Sequence, residues 1–84
     1  MNMELKNVTP RELANFFLGA VRCTVHHVYE FSSEVDFFEE VFYRFEDAEM
    51  LEIEEATRKA LEVLEADGVL SLNRENGVIS WRQD

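Results

Sequence analysis

The stretch LEADGVLSLNRENGVISW, residues 64–81, carries the strongest structural signal in the chain. A segment of helical periodicity runs into it and stops at Gly68, a residue type that accepts the left-handed backbone a helix end needs. Two short runs follow in which apolar and polar residues alternate, the pattern of half-buried strands. Leu70 and Leu72 alternate with Ser71 and Asn73, and Ile79 and Trp81 alternate with Val78 and Ser80. Between the runs lies NRENG, where Asn76-Gly77 is expected to supply the positive φ angles of a tight turn. The stretch is therefore read as a helix end followed by a β-hairpin with one apolar face.

Upstream of the hairpin, Ile53, Ala56, Thr57, Ala60 and Leu64 recur at helical spacing and predict a third helix. Glu54 with Arg58 and Glu55 with Lys59 are i,i+4 pairs in the favourable order. FEDAEMLE (45–52) reads as a turn, although no glycine or proline marks it, and fusion of the second and third helices into one is the alternative. For the second helix, Ser32 and Ser33 offer an N-cap, with Asp36 three residues after Ser33. A helical wheel puts Val35, Phe38, Val41, Phe42 and Phe45 on one face, and Asp36, Glu39, Glu40 and Tyr43 on the other.

The first helix opens at TPRE, with Thr9 as cap, Pro10 at the first helical position and Glu12 completing a capping box. Leu13, Phe17, Ala20, Val21 and Val28, with Ala14 beside them, form its apolar stripe. TVHHVYEF (24–31) suits either a short first strand near residues 25–31 or a continuation of this helix. Residues 1–8 read as a short N-terminal arm and residues 9–84 as a single domain. The expected class is α+β: three helices followed by a C-terminal two-stranded hairpin.

Charge is lopsided, with 18 acidic and 8 basic residues and a net charge of -10. From Glu34 to Asp67 there are 13 acidic and 3 basic residues, while the other 50 residues hold five of each. The whole imbalance thus falls on the second and third helices. Such a surface repels phosphate backbones and favours basic partners. A lone cysteine, Cys23, leaves no internal disulfide and suits a reducing compartment. MNMELKNVTP has no apolar core of a signal peptide, and no apolar run approaches the ~20 residues of a membrane span. The expectation is a soluble, cytoplasmic protein.

Helix, candidate strand, helix, turn, helix and a two-stranded wing: the layout over residues 9–82 resembles a winged helix-turn-helix, most of all in ATRKALEVLEADGVLSL (56–72). The resemblance implies either a transcription regulator or a protein-binding module, because the fold alone does not choose. In DNA-binding members the exposed face of the third helix enters the major groove. Here those positions are Glu52, Glu54, Glu55, Arg58, Lys59, Glu62 and Glu65, five acids against two bases.

Three functional readings remain. The leading one is a non-enzymatic protein-interaction module that meets a basic protein or peptide through Tyr43, Glu39, Glu40, Glu54, Glu55, Arg58 and Glu62. Tyr43 is the candidate anchor, an aromatic that the wheel sets among Asp36, Glu39, Glu40 and Asp47. The second is a DNA-binding regulator that avoids the acidic helix and uses Arg74 and Arg82 of the wing with Arg11 and Arg22 of the first helix. The third is a DNA mimic whose acid array occupies a nucleic-acid-binding protein. Oligomeric state is left open, a homodimer included. Phe16 and Phe37, at stripe edges, extend the core or meet a partner. Cys23, His26, His27 and Glu30 lack the second ligand pair of a zinc-finger site and read as ordinary side chains. No catalytic motif and no cofactor-binding motif is present.

Overall fold

The computed structural model describes residues 4–23 and 32–82, with the backbone alone at residues 20–23. The Thr9 hydroxyl accepts the Glu12 N–H and the Glu12 carboxylate accepts the Thr9 N–H, both at 3.1 Å. This reciprocal cap starts helix α1 (Pro10–Cys23) where the sequence predicts it. Leu13, Ala14 and Phe17 are its buried positions. The side chains of Ala20 and Val21, all of Val28, and the candidate strand near residues 25–31 lie outside the described residues.

Ser33 caps helix α2 (Glu34–Arg44). Asp36 Oδ2 accepts the backbone N–H groups of Ser32 and Ser33, each at 3.0 Å, and the Ser33 hydroxyl at 3.1 Å. The chain then turns, so α2 and helix α3 (Met50–Ala66) are separate elements rather than one long helix. α3 is the hub: it packs on both α1 and α2, and also touches the first hairpin strand and a short 3-10 turn at Leu5–Asn7. That turn buries Leu5, so the N-terminal arm is partly a packed element.

The buried face of α2 is rotated from its expected position. Phe37 and Val41 are fully buried, whereas Val35 and Phe42 face solvent. Phe38 and Phe45 are half-buried between the two faces. Tertiary contact decides the phase: the Phe37 ring lies 4.5 Å from Phe17 of α1 and 5.9 Å from Trp81, centroid to centroid. Offset aromatic pairs of this kind add to simple burial.

Ile53, Thr57, Ala60 and Leu64 are buried on α3, as the periodicity predicts; Leu61 joins them, and Ala56 is half-buried beside them. The helix ends in a Schellman motif: Val69 N–H donates to Leu64 O and Gly68 N–H to Glu65 O, both at 3.0 Å, with Gly68 at φ 75°. Strands β1 (Leu70–Asn73) and β2 (Val78–Trp81) pair antiparallel, with Leu70 opposite Trp81 and Leu72 opposite Ile79. All four point to the core side, while Ser71, Asn73, Val78 and Ser80 are exposed. In the connecting turn only Gly77 has positive φ (72°); Asn76 does not. The Asn76 side chain instead accepts the Val78 N–H at 3.0 Å, and the Asn73 side chain accepts the Glu75 N–H at 2.9 Å. Side-chain acceptors close the turn where a two-residue turn would need a second left-handed residue.

The far edge of β2 is also paired. Ser33 forms an isolated antiparallel bridge with Val78, Ile79 N–H donates to Ser32 O at 2.7 Å, and Glu34 N–H donates to Gly77 O at 2.9 Å. The chain entering α2 thereby supplies a minimal third strand. Three helices, this short edge and the antiparallel hairpin make a small α+β, winged-helix-like layout. Among the described residues, no helix is long and apolar enough to cross a membrane.

Candidate interaction surface

Two features stand out on the surface: how the charges are matched, and which large apolar side chains stay exposed. Among the described residues, Lys6, Arg11, Arg44, Lys59 and Arg74 pair with carboxylates of the same molecule. Lys6 meets Glu4 at 3.1 Å, Lys59 meets Glu55 at 3.0 Å, and Arg44 meets Glu40 at 3.8 Å. Arg11 donates through both terminal nitrogens to Asp67, and Arg74 donates to Glu65 at 2.8 and 3.3 Å. These are exposed pairs and add little to stability. Their importance is that they neutralise the cations.

The carboxylates respond accordingly. The hydrogen bond from Arg11 holds the Asp67 carboxyl below the usual carboxylate range. Arg74 does the same for Glu65, helped by the Leu72 N–H at 3.4 Å. Lys59 lowers Glu55, with a smaller contribution from the charge on Arg58. A carboxylate near a fixed cation favours its charged form.

Three of the four expected DNA-facing arginines have described side chains. Arg11 and Arg74 are both committed to carboxylates. The Arg82 guanidinium lies against Gly68, where a Cβ would come within 3.2 Å of its Nη1. The Arg22 side chain lies outside the described residues.

The acidic candidates divide into three places. Glu54, Glu55, Arg58 and Glu62 are exposed on α3. The expected Glu54–Arg58 ion pair does not form, while its neighbour, Glu55 with Lys59, does. Glu39 is exposed on α2, and Glu40 turns partly inward toward Arg44. Tyr43, 71% exposed, stands at the C-terminal end of α2 and lines an open groove of about 770 Å³. Glu46, Asp47, Glu49 and Glu52 share that groove. Its wall also holds Phe16, over whose ring the Arg44 guanidinium sits at 5.4 Å, a cation–π contact.

Sequence reasoning singled out Tyr43 but not Glu46 and Glu49, which line the same groove, because the turn that carries them has no periodicity. It also assigned Val35 and Phe42 to the core, although they are 61% and 40% exposed. The available signal was that α2 carries apolar residues on two opposite faces, more than one core contact can absorb. Among the described residues, no group of three His, Cys, Asp or Glu side chains is arranged to hold a metal. Cys23 (its side chain), His26, His27 and Glu30 lie outside the described residues.

No protein-family model matches the chain, and no curated protein or solved structure matches it either. The chemistry of the surface is accordingly the ground for function.

Proposed function

We propose that the chain is a non-enzymatic protein-interaction module, winged-helix in type, whose acidic α2–α3 surface takes a basic protein or peptide. The observation that carries this reading is the matching of charge. Among the described residues five cations are neutralised within the molecule, and four carboxylates without a cation, Glu46, Asp47, Glu49 and Glu52, line the groove beside an exposed tyrosine. An aromatic beside unmatched carboxylates offers a cationic side chain both a stacking surface and counter-charge. The proposal puts the module inside the cell, where a lone cysteine stays reduced.

DNA reading through the wing is the weaker alternative, since two of its four arginines are tied to carboxylates. Anisotropy titrations at ~150 mM salt, near the physiological level, test the choice. A lysine- and arginine-rich labelled peptide is expected to bind, with affinity falling as salt rises. A glutamate-rich peptide and a DNA duplex are expected not to bind. Preference for the duplex over the basic peptide would overturn the proposal.

A further inference from the structure

We infer that the outer face of α2 is a docking site for an amphipathic basic helix, which lays apolar side chains on Val35 and Phe42 and sends a cationic side chain into the groove beyond Tyr43. This rests on the basic-partner reading above and specifies its occupant. α2 advances roughly 100° per residue. Glu39 is two residues from each of the buried Phe37 and Val41, so it lies diametrically opposite the core. Val35, Phe42 and Tyr43 flank it on that outward side, and the Phe42 and Tyr43 rings meet edge-on at 6.1 Å. A helix whose outward face holds three large apolar side chains is amphipathic toward a second neighbour as well as toward its own core.

Charge selects the neighbour. A second copy seated symmetrically would bring two Glu39 carboxylates into one apolar contact with no cation between them, on a chain of net charge -10. A purely apolar partner would desolvate Glu39 unpaired, which is strongly unfavourable. A partner with lysine or arginine opposite Glu39 satisfies both constraints. Spacing selects a helix: Val35 and Phe42, both exposed, are two helical turns apart, the i,i+7 spacing that a facing helix repeats. With 11 residues, α2 offers about three turns, roughly 16 Å, of contact. At its C-terminal end the groove adds Glu46, Asp47, Glu49 and Glu52. Arg44 over Phe16 already shows the ring and charge geometry by which that groove holds a guanidinium.

The test uses the full chain, isotopically labelled, with two peptide probes of identical composition and about four turns. One has leucines at i, i+3, i+7 and i+10 with lysine and arginine flanking them; the other is its scramble. The amphipathic probe is expected to bind roughly tenfold or more tightly than the scramble at ~150 mM salt. Its amide shift changes should centre on residues 35–52. Val35→Ser with Phe42→Ser should abolish that preference while leaving melting temperature and the scramble's weak binding unchanged. Glu39→Gln should weaken the amphipathic probe alone. Equal binding of both probes would overturn the docking site and leave the basic-partner reading standing. Shift changes confined to the exposed ridge of α3 would do the same. Failure of both probes would overturn both. A dimer in sedimentation equilibrium that Phe42→Ser dissolves would make a second copy the occupant and overturn the inference.

Discussion

Arg74 Nη2 donates to Glu65 Oε1 at 2.8 Å, tying the tip of the hairpin to the last turn of α3. The same carboxylate accepts the Leu72 N–H at 3.4 Å, so one side chain holds both the turn and the first strand. The arginine that would reach a phosphate from the wing is folded back onto its own protein. Titration of a labelled duplex at ~150 mM salt, near the physiological level, should therefore show no binding. Binding of the native chain tighter than ~1 μM, beyond ordinary non-specific association, would return DNA to first place.

Phe37 is fully buried between Phe17 and Trp81, whereas Trp81 is half-buried. Phe37→Ala should cost about 3–5 kcal/mol and Trp81→Ala roughly half as much, by large-to-small core precedent. Urea denaturation of both variants gives the comparison. The reverse order would mean that α2 presents a different face to the core.

Helix α2 also marks the limit of what the sequence discloses. The first cap at Thr9, the stop at Gly68 and the pairing of Leu70, Leu72, Ile79 and Trp81 on one face are local, and each is legible from a few adjacent residues. α2 instead carries two apolar stripes, Phe37 with Val41 and Val35 with Phe42. Periodicity establishes the helix but cannot choose between the stripes, because the choice depends on Phe17 and Trp81 from remote segments. The candidate surface inherits that ambiguity: Tyr43 is legible as a misplaced aromatic, while its companions Glu46 and Glu49 come from a turn.

Thr57 is buried in α3 with its hydroxyl lacking a hydrogen-bond partner. Valine has nearly the same shape and no polar group to satisfy. Thr57→Val should be neutral or stabilising by up to ~1 kcal/mol, the scale of an unmade buried hydrogen bond. A loss of more than ~1 kcal/mol in thermal or urea unfolding would show that the hydroxyl is satisfied in solution.

Acid should remove a small contribution to stability made by three surface carboxyls. Arg11 lowers Asp67, Arg74 lowers Glu65 and Lys59 lowers Glu55 relative to their ordinary values. A carboxyl lowered in the folded state contributes stability that is complete above its unfolded pKa, about 4. That contribution disappears as pH falls through the folded value. Unfolding free energy should decline below about pH 4, and Arg11→Met with Arg74→Met should shallow the decline. An unchanged acid limb in the double variant would mean that the two arginine pairs are not coupled to folding.

Salt should act in the opposite sense on the remaining charges. The molecule has a radius of gyration of 12.2 Å and a net charge of -10. Screening length shortens from about 30 Å at 0.01 M to about 8 Å at 0.15 M, crossing the molecular dimension. Self-repulsion is relieved over that interval, and the exposed ion pairs that salt weakens are individually small. Melting temperature should rise with sodium chloride over this range in calorimetry. A fall would mean that the five pairs outweigh the unmatched acids.

The edge pairing between Ser33 and Val78 joins segments about 45 residues apart in sequence. Within it, Ile79 N–H bonds to Ser32 O and Glu34 N–H to Gly77 O, so the hairpin's outer strand and the first turn of α2 hold each other closed. Neither can open alone, because freeing the strand removes the acceptor for Glu34 and the donor for Ser32. Hairpin and helix entrance thus form one cooperative opening unit, with a shared free energy of exposure rather than two local ones. Val35, the first apolar residue of the outward stripe, follows Glu34 directly. A ligand resting there would slow hydrogen exchange at Ile79, on a strand it never touches.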